Sequence, residues 1–444
     1  MGNTPMRVRL EYLGCRLNEA ELENWARHFQ ARGIEPAGPG QRADLLVVNS
    51  CAVTEEAVRK SRKLLRRLQR ENPGARLVMS GCWATLAPEQ AEALGVDLVV
   101  SNPDKARLVE IAARELDLPE MPAGAVDEPL WSPLARNRQR AFVKVQDGCR
   151  HRCSYCVVTL ARGAERSVPV AEVVAEVNRL HAAGLKEVVL AGVHLGGYGS
   201  DLGGSLAELV QAVLSDTDLP RLRLGSIEPW TLDDAFLSVL DHPRLMPHLH
   251  LPVQSGADTV LRRMSRRGRR AEFLALVERL RDVRPELNLT TDLIVGFPGE
   301  TEAEWRQTLD LAETAGFGDI HIFAFSPRPG TRAATLPDPV PRDIQRRRGD
   351  TLQALADELR RAARARLMGR QVEVLVEGSP EERQGKLIWS GYSPDYQRIH
   401  FPGPPDLVNR IVPVNVTGET SGRLQAHLCN RHPSVLANQQ LACR

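Results

Sequence analysis

The sequence predicts an α/β protein in three parts: an N-terminal parallel α/β domain, a central partial (β/α) barrel and a small C-terminal β-barrel. Two long stretches alternate short apolar runs with amphipathic helical patterns, which is typical of parallel sheets. After Gly369 the pattern changes to short strands, which favours a small barrel. The predicted segments are a domain at 1–116, a linker at 117–137, a domain at 138–335, a linker and basic helix at 336–370, a barrel at 371–430 and a tail at 431–444.

The composition is that of an ordinary globular protein. The chain has 444 residues, enough for two or three domains, and 42% of them are hydrophobic. No apolar run reaches the roughly 18 residues that a membrane span needs, and the first residues lack the charged-then-apolar plan of a signal peptide. We therefore expect a cytoplasmic protein without a membrane partner, whose eight cysteines are reduced and available for metal.

Three cysteines of the N-terminal domain each follow a predicted strand. Strands are expected at Arg7–Leu13, Asp44–Val48 and Arg76–Met79, and the turn-like sequences after them contain Cys15, Cys51 and Cys82. Because the carboxyl ends of parallel strands share one edge of a sheet, these cysteines would converge there although they lie 36 and 31 residues apart. Each cysteine alone could equally be a small core residue, but together they predict a second iron–sulfur site with three protein ligands.

A strongly basic helix is predicted between the second and third strands. Residues 59–70 contain seven cations in twelve positions, which cover much of a helix circumference. A solvated helix face is the more common explanation of such a run, and contact with RNA phosphate is the less common one.

The central domain carries its polar and glycine-rich sequences at the carboxyl ends of strands. The strands are predicted at 143–146, 187–191, 222–226, 248–251, 289–294 and 321–324. That end of a parallel barrel is where the βα loops carry the chemistry. We therefore expect the functional residues of this domain to lie on one rim.

The first of these loops contains Cys149, Cys153 and Cys156, at spacing i, i+4 and i+7. Three thiolates on a four-iron cluster leave one iron without a protein ligand, whereas a closed electron-transfer cluster takes four. Zinc patterns pair two C-x-x-C units or add histidines, so they fit this spacing less well. Three buried small hydrophobes are the alternative, but the intervening Arg150, His151 and Arg152 indicate a polar loop.

This motif resembles that of the radical S-adenosylmethionine (SAM) superfamily. The flanking sequences 143–148 and 161–167 narrow the resemblance to the methylthiotransferases, and it covers roughly residues 7–428. It implies two [4Fe-4S] clusters: a SAM-binding cluster on the central cysteines and an auxiliary cluster on Cys15, Cys51 and Cys82. Ser50 stands where many relatives have threonine.

The same resemblance suggests which residues surround SAM. Glycines at the rim would let backbone groups approach the ligand, acceptors would meet the ribose or the methionyl amine, and Arg166 would pair with the SAM carboxylate. The expected set is Tyr155, Arg166, Gly192, Gly196, Gly197, Glu228, Gln254 and Gly296. For each of these, an ordinary turn glycine or surface ion pair is the alternative.

The C-terminal barrel resembles the TRAM domain, a small barrel that binds RNA, on the sequence at 391–399. Tyr392 and Tyr396 could stack on unpaired bases while Arg398 contacts phosphate. Packing of the aromatic rings within the barrel's own core is the alternative. The arginine-dense run at 262–270 is predicted to be a flexible basic loop that serves RNA contact or solubility.

The resemblance implies replacement of an unactivated C–H bond by C–S–CH3, a step that belongs to cofactors rather than to acid–base side chains. One electron from an external reductant cleaves SAM to a 5′-deoxyadenosyl radical, which removes hydrogen from the substrate. Sulfur from a donor, held at the auxiliary cluster and methylated by a second SAM, then joins the carbon. The loop at 190–199 is similar to that of the subgroup acting on N6-threonylcarbamoyladenosine 37 of tRNA.

Two sets of alternatives remain at this stage. The near ones are methylthiotransferases acting on isopentenyladenosine 37 of tRNA or on an aspartate of a small-subunit ribosomal protein. The distant ones are a radical SAM methylase and an RNA-binding iron–sulfur protein without sulfur insertion.

Overall fold

The structure is a computed structural model that describes residues 6–38, 40–118 and 139–429. The predicted linker, apart from residues 117 and 118, and the predicted tail at 431–444 lie outside the described residues. Among the helices described, none is at once long and apolar enough to cross a membrane.

The N-terminal region is a five-stranded parallel sheet with strand order β2-β1-β3-β4-β5. Its elements are β1 (Arg7–Tyr12), α1 (Arg16–Ala31), β2 (Glu35–Pro36), β3 (Leu45–Ser50), α2 (Glu55–Glu71), β4 (Arg76–Gly81), α3 (Cys82–Leu86), α4 (Pro88–Glu92), β5 (Leu98–Val100) and α5 (Leu108–Glu115). All six residues of the central strand β3 are buried, because helices cover both faces of the sheet. The predicted parallel α/β class is confirmed here.

The central region contains six main parallel strands. Its elements are β6 (Arg140–Lys144), β7 (Gln146–Asp147), α6 (Val158–Arg162), β8 (Arg166–Ser167), α7 (Val170–Ala182), β9 (Glu187–Ala191), α8 (Leu206–Asp216), β10 (Arg221–Leu224), α9 (Asp234–Leu240), β11 (His248–His250), α10 (Asp258–Arg263), α11 (Arg270–Val283), β12 (Asn288–Val295), α12 (Glu302–Ala315) and β13 (Asp319–Ala324). Two parallel sheets, β10-β9-β6 and β11-β12-β13, are joined by the parallel bridge Ser226–His250. The strands therefore follow chain order around an open, partial barrel.

The basic helix α13 (Arg342–Ala365) belongs to this barrel rather than to a linker. Leu352 and Ala356 are fully buried in the core that the barrel strands share with their helices. Arg348 reaches the loop after β12, where its Nη1 lies 2.8 Å from the Glu300 carboxylate. The apolar stripe of the helix was recognisable in the sequence, but its partner was not.

The C-terminal region is a closed five-stranded barrel with strand order β14-β15-β16-β18-β17. The strands are β14 (Gln371–Arg383), β15 (Lys386–Tyr392), β16 (Arg398–Pro402), β17 (Ile411–Thr420) and β18 (Arg423–Leu428). Their inward side chains form a separate core around Trp389 and Phe401. The change to short strands after Gly369 therefore predicted this architecture correctly.

Candidate functional site

The cysteine loop of the central region is held by backbone geometry that only glycine allows. Gly148 has φ +73°, and a Cβ there would lie 1.9 Å from the carbonyl oxygen of Ala164. Gln146 fastens the same turn, since its amide nitrogen donates to the carbonyl oxygens of Asp147 (3.0 Å) and Gly148 (2.9 Å). The loop is thereby fixed immediately before Cys149.

Backbone amides point at two of the three thiols in this loop. The amide of His151 lies 3.4 Å from Cys149 Sγ, and that of Val158 lies 3.4 Å from Cys156 Sγ. Burial nevertheless raises the pKa of Cys149 to about 12 and that of Cys156 to about 11. Thiolates here need a positively charged partner, which is what the irons of a cluster supply. The donor set thus fits the iron–sulfur group implied for this loop.

The three N-terminal cysteines converge as their strand positions predicted. Cys15 precedes α1, Cys51 follows β3 and Cys82 begins α3. A Cβ on Gly14 (φ +96°) would lie 2.6 Å from Cys51 Sγ, so the first and second cysteine loops are in direct contact. The pKa of Cys51 is raised to about 11, mainly by burial and in part by the charges of Cys15 and Cys82.

The two cysteine groups are also neighbours of each other. Burial is the main cause that raises the pKa of Cys156, but the thiolate charges of Cys153 and of Cys82 add to it. A charge on the N-terminal sheet is therefore felt at the central cysteine loop. Asn102 links the two regions here, since its amide nitrogen donates to the carbonyl oxygen of Ala161 on α6 at 2.8 Å and lies 3.8 Å from Cys82 Sγ.

A buried ionic network that sequence reasoning missed lies beside these cysteines. Arg162, at the end of α6 and 2% exposed, pairs with Glu21 at 3.0 Å and with Asp147 at 2.9 Å. Lys105, also 2% exposed, reaches Glu21 at 2.6 Å. Burial alone would raise the pKa of Glu21, but Lys105, Arg162 and Lys144 hold it well below its usual range. Nothing in the local sequence distinguishes these ions from surface charges, because their partners are distant in the chain.

Two of the rim glycines make room for protein side chains in this structure. A Cβ on Gly196 would lie 2.0 Å from Thr231 Oγ1, and one on Gly197 would lie 2.3 Å from His194 Nδ1. Gly192 similarly faces Gln146 Oε1, at 3.1 Å. Their glycine character is therefore explained by packing of the loop, and the structure does not assign it to approach of a ligand.

Acceptors converge at the rim near the cysteine loop. His194 Nδ1 lies 2.7 Å from the Glu165 carboxylate, and Glu228 Oε2 lies 3.5 Å from His194 Nε2. Burial raises the pKa of Glu228, and its Oε2 is buried without a hydrogen bond from the described residues. A buried carboxylate oxygen without a hydrogen bond fits a site that is completed by a polar ligand. His194 and Glu165 were not among the predicted residues.

The remaining residues predicted to contact SAM that are described next, Gln254, Gly296 and Arg166, differ in burial and in their neighbours. Gln254 adopts φ +73° and is buried, and its backbone bridges to β12. Gly296, with φ +72°, is in contact with Gln345 of α13. Arg166 lies on β8 with an exposed side chain, and its pairing with the SAM carboxylate stays a prediction.

Arg266, from the arginine-dense run, lies close to the cysteine loop. Its Nη1 lies 3.4 Å from Tyr155 Oη, its guanidinium lies 4.6 Å from the Trp230 ring centroid, and its Nε is buried without a hydrogen-bond partner among the described residues. The run at 262–270 is thus not uniformly a flexible loop. It contains the end of α10 and turns Arg266 inward.

The predicted RNA-stacking tyrosines contact the central region instead. Tyr392 and Tyr396 stack on each other with centroids 4.8 Å apart, and Tyr396 stacks on His248 at 4.8 Å. The Arg140 guanidinium lies 4.5 Å from the Tyr392 ring centroid, and the Arg223 guanidinium lies 4.8 Å from that of Tyr396. These contacts cover the ring faces that base stacking would use, which corrects the prediction for both tyrosines. Arg398 remains exposed, with its guanidinium 3.0 Å from Ser390 Oγ.

Comparison with known proteins gives two family matches. Residues 143–312 match the radical SAM superfamily, and residues 7–101 match the uncharacterized protein family UPF0004. These matches coincide with the two regions that carry the cysteine groups.

Among curated proteins, the threonylcarbamoyladenosine tRNA methylthiotransferase MtaB of Thermotoga maritima is 37% identical over 89% of this chain and 91% of its own length. The MtaB of Bacillus subtilis is 34% identical over 92% and 93%. The tRNA-2-methylthio-N(6)-dimethylallyladenosine synthase of Chloroflexus aurantiacus is 38% identical over 93% and 89%.

Among solved structures, the radical SAM methyltransferase TsrM of Kitasatospora setae has a TM-score of 0.56, with 16% identity, and covers 74% of this chain and 75% of that one. At that identity the likeness concerns the fold alone. The curated relatives, by contrast, match nearly end to end at 34–38% identity. The chain belongs to the radical SAM methylthiotransferase family.

Proposed function

We propose that this enzyme adds a methylthio group to N6-threonylcarbamoyladenosine at position 37 of tRNA, using two [4Fe-4S] clusters and two molecules of SAM. An external one-electron reductant and a sulfur donor are needed as partners. The observation that carries the proposal is the convergence of two groups of three cysteines, from separate regions, with Cys82 close enough to raise the pKa of Cys156. Relatives named as threonylcarbamoyladenosine methylthiotransferases, similar over most of the chain, support the substrate.

Each cysteine group would hold one cluster. When bound, the central cluster with SAM supplies hydrogen-atom abstraction and the auxiliary cluster supplies sulfur. The protein's own part is to position these groups: Gly148 and Gln146 fix the central loop, and Arg162 joins it to the N-terminal sheet. The guanidinium of Arg266, whose Nε is buried without a hydrogen-bond partner among the described residues, is a further candidate partner of the SAM carboxylate beside that of Arg166.

RNA contact is assigned to exposed cations rather than to the stacked tyrosines. Arg398 and Arg423 line one cavity on the C-terminal barrel, and Arg62, Lys63 and Arg66 line another along α2. Guanidinium and ammonium groups on a surface are suited to phosphate. These two surfaces are the places where a folded RNA would be held.

The first test concerns the clusters. After anaerobic reconstitution, two [4Fe-4S] clusters require about eight irons per chain, and the Cys15→Ala variant should hold about four. About four irons in the wild type, unchanged by Cys15→Ala, would instead favour a radical SAM methylase or an iron–sulfur protein without sulfur insertion.

The second test separates the roles of the two groups. Cys153→Ala should abolish reductive cleavage of SAM, whereas Cys51→Ala should retain it and lose methylthiolation. SAM cleavage that survives in Cys153→Ala would refute the assignment.

The third test concerns the substrate. Nucleosides of tRNA from a strain that lacks the gene should lose 2-methylthio-threonylcarbamoyladenosine while retaining the unthiolated form. Loss of the methylthio group from dimethylallyladenosine would favour the near alternative, to which a relative of 38% identity also corresponds. Retention of every methylthio group in the tRNA, with loss of the methylthio group from an aspartate of a small-subunit ribosomal protein, would favour the aspartate-modifying enzyme.

A further inference from the structure

Three polar side chains on neighbouring strands form a cluster inside the barrel. The cluster consists of His250 on β11, Asp292 on β12 and His321 on β13, and is called the interior triad below. His250 Nε2 and His321 Nδ1 each lie 3.1 Å from Asp292 Oδ1. The two imidazole rings are tilted, with centroids 5.1 Å apart.

The strand pattern places this triad on the inner face of the barrel. The alternate residues Leu249, Leu293 and Ile320 belong to the core between strands and helices, and side chains alternate between faces along a strand. Side-chain exposure rises from 12% at His250 through 23% at Asp292 to 57% at His321. The triad therefore opens towards the β13 side of the barrel.

The register places the triad one layer below the rim. His250 bridges to Ser226, two residues before Glu228, and Leu293 bridges to Gln254. Asp292 and His321 are paired across β12 and β13. The triad thus lies next to the carboxylate and amide side chains that were predicted to contact SAM.

Hydrogen bonds fix the triad but leave part of it open. Thr290 Oγ1 lies 2.9 Å from His250 Nδ1, so His250 directs its Nε2 at Asp292. Among the described residues, neither Asp292 Oδ2 nor His321 Nε2 has a hydrogen-bond partner. A hydrogen bond from Asp292 raises the pKa of His321, which favours an N–H donor at that open nitrogen.

The open atoms are one acceptor and one donor. A carboxylate oxygen accepts N–H or O–H groups, and a protonated imidazole donates to a carboxylate or carbonyl. A threonylcarbamoyl group offers ureido N–H groups, a hydroxyl and a carboxylate. A dimethylallyl group is a hydrocarbon and offers neither open atom a hydrogen bond, so a site that bonds the polar group would favour the threonylcarbamoyl substituent over it. Overall identity does not separate these two substituents, since relatives of both kinds are 37% and 38% identical to this chain.

We propose that the interior triad is the subsite that receives the threonylcarbamoyl group, with Asp292 Oδ2 accepting from its N–H or O–H groups and His321 Nε2 donating to its carboxylate. This assignment rests on the proposed function. It makes Asp292 and His321 specificity-determining residues, while His250 and Thr290 orient them.

The test compares Asp292→Asn and His321→Phe with the wild type, each anaerobically reconstituted as the full chain. The substrates are tRNA bearing threonylcarbamoyladenosine 37 and the same tRNA with unmodified adenosine 37. We expect wild-type kcat/KM on the first substrate to fall about 10- to 100-fold in each variant, and the preference of the wild type for binding the modified tRNA to disappear. His321→Gln, which keeps an N–H donor, should recover part of the activity.

Two readouts separate this role from a structural one. SAM cleavage without RNA should be unchanged in Asp292→Asn and His321→Phe, and the exposed Asp241→Asn should behave as the wild type in every assay. Equal loss of RNA-independent SAM cleavage would place the triad in the SAM site and overturn the proposal. So would one equivalent of zinc in the dialysed wild type that both variants lack, because two histidines and a carboxylate also suit a divalent metal.

The two proposals fail in different ways. A wild type that does not methylthiolate threonylcarbamoyladenosine refutes the proposed function. A wild type that does so, with variants that keep both its rate and its binding preference, refutes the interior triad as the subsite.

Discussion

At the scale of single residues, Arg162 shows how charge joins the two cysteine-bearing regions. Its guanidinium is 2% exposed and pairs with Glu21 from α1 and Asp147 beside the cysteine loop. Removing one partner of a buried ion pair leaves the other charge uncompensated. Arg162 therefore links the N-terminal region to the central region, close to the cysteines of both.

Arg162→Met is expected to lower the free energy of unfolding by about 3–5 kcal/mol, because two buried carboxylates each lose a buried cationic partner and Lys105 and Lys144 only partly compensate. Chemical denaturation of the reconstituted protein, followed by intrinsic fluorescence, measures the change. The control is Arg59→Met on α2, whose side chain is 78% exposed beside Glu56 and whose loss should change stability far less. Equal effects of the two substitutions would contradict the role of the network.

The grouping of six cysteines into two sets of three could be predicted because their spacing and strand positions are local features of the chain. Arg266 could not, since a run of arginines has no periodicity that shows which one turns inward. Arg166 was predicted to pair with the SAM carboxylate because a guanidinium matches a planar carboxylate. Proximity along the chain and proximity in the folded barrel differ most where a helix or loop intervenes.

At the scale of elements, α13 packs against the barrel strands and contributes to the barrel core, which its sequence did not indicate. Its composition is strongly basic, yet Leu352 and Ala356 are fully buried against the barrel strands. The amphipathic stripe was visible, but helical periodicity identifies a buried face without identifying what covers it. Element bounds differ by one residue at each end for β12, which is Asn288–Val295 against a predicted 289–294, but by three at the start of β6, which is Arg140–Lys144 against 143–146.

Leu352→Ala is expected to lower the free energy of unfolding by about 2–5 kcal/mol, since a fully buried leucine is replaced by a cavity. Gln353→Ala, at the neighbouring exposed position of the same helix, serves as the matched control and should have a small effect. Circular dichroism during denaturation measures both. A fragment that ends at residue 335 should accordingly be less stable than one that ends at residue 366, and equal stability would show that α13 is dispensable.

At the scale of the whole molecule, the C-terminal barrel is attached through tyrosines and arginines. Tyr396 has φ +68°, an unfavourable backbone conformation for a residue with a side chain. Its ring is held by His248, Arg140 and Arg223, and Arg140 Nη1 donates to its hydroxyl at 2.8 Å. The sequence predicted RNA-binding tyrosines, because tyrosines exposed for stacking on bases and tyrosines packed against another domain have the same local composition.

Tyr396→Ala is expected to weaken this docking by roughly 2–4 kcal/mol, because it removes the ring contacts with His248, Arg140 and Arg223 and the hydrogen bond with Arg140. Small-angle scattering should then show a larger radius of gyration, and proteolysis should be faster near residues 366–371. Arg398→Ala, on an exposed part of the same barrel, should leave both unchanged and weaken tRNA binding. An unchanged radius in Tyr396→Ala would contradict the docking role.

The barrel strands β6, β9, β10, β11, β12 and β13 follow chain order, and this arrangement affects the nascent chain during synthesis. A barrel that does not close has two strand edges with unpaired backbone groups, and such edges invite pairing with other chains. Here α1 packs against β6, with the Arg16 guanidinium 5.0 Å from the Phe142 ring centroid, and α13 packs against β13. The N-terminal region is synthesised before β6, so α1 can cover β6 as soon as that strand forms. In contrast, β13 is synthesised before α13, which covers it. Nascent chains should therefore aggregate most readily after β13 has been synthesised and before α13 has.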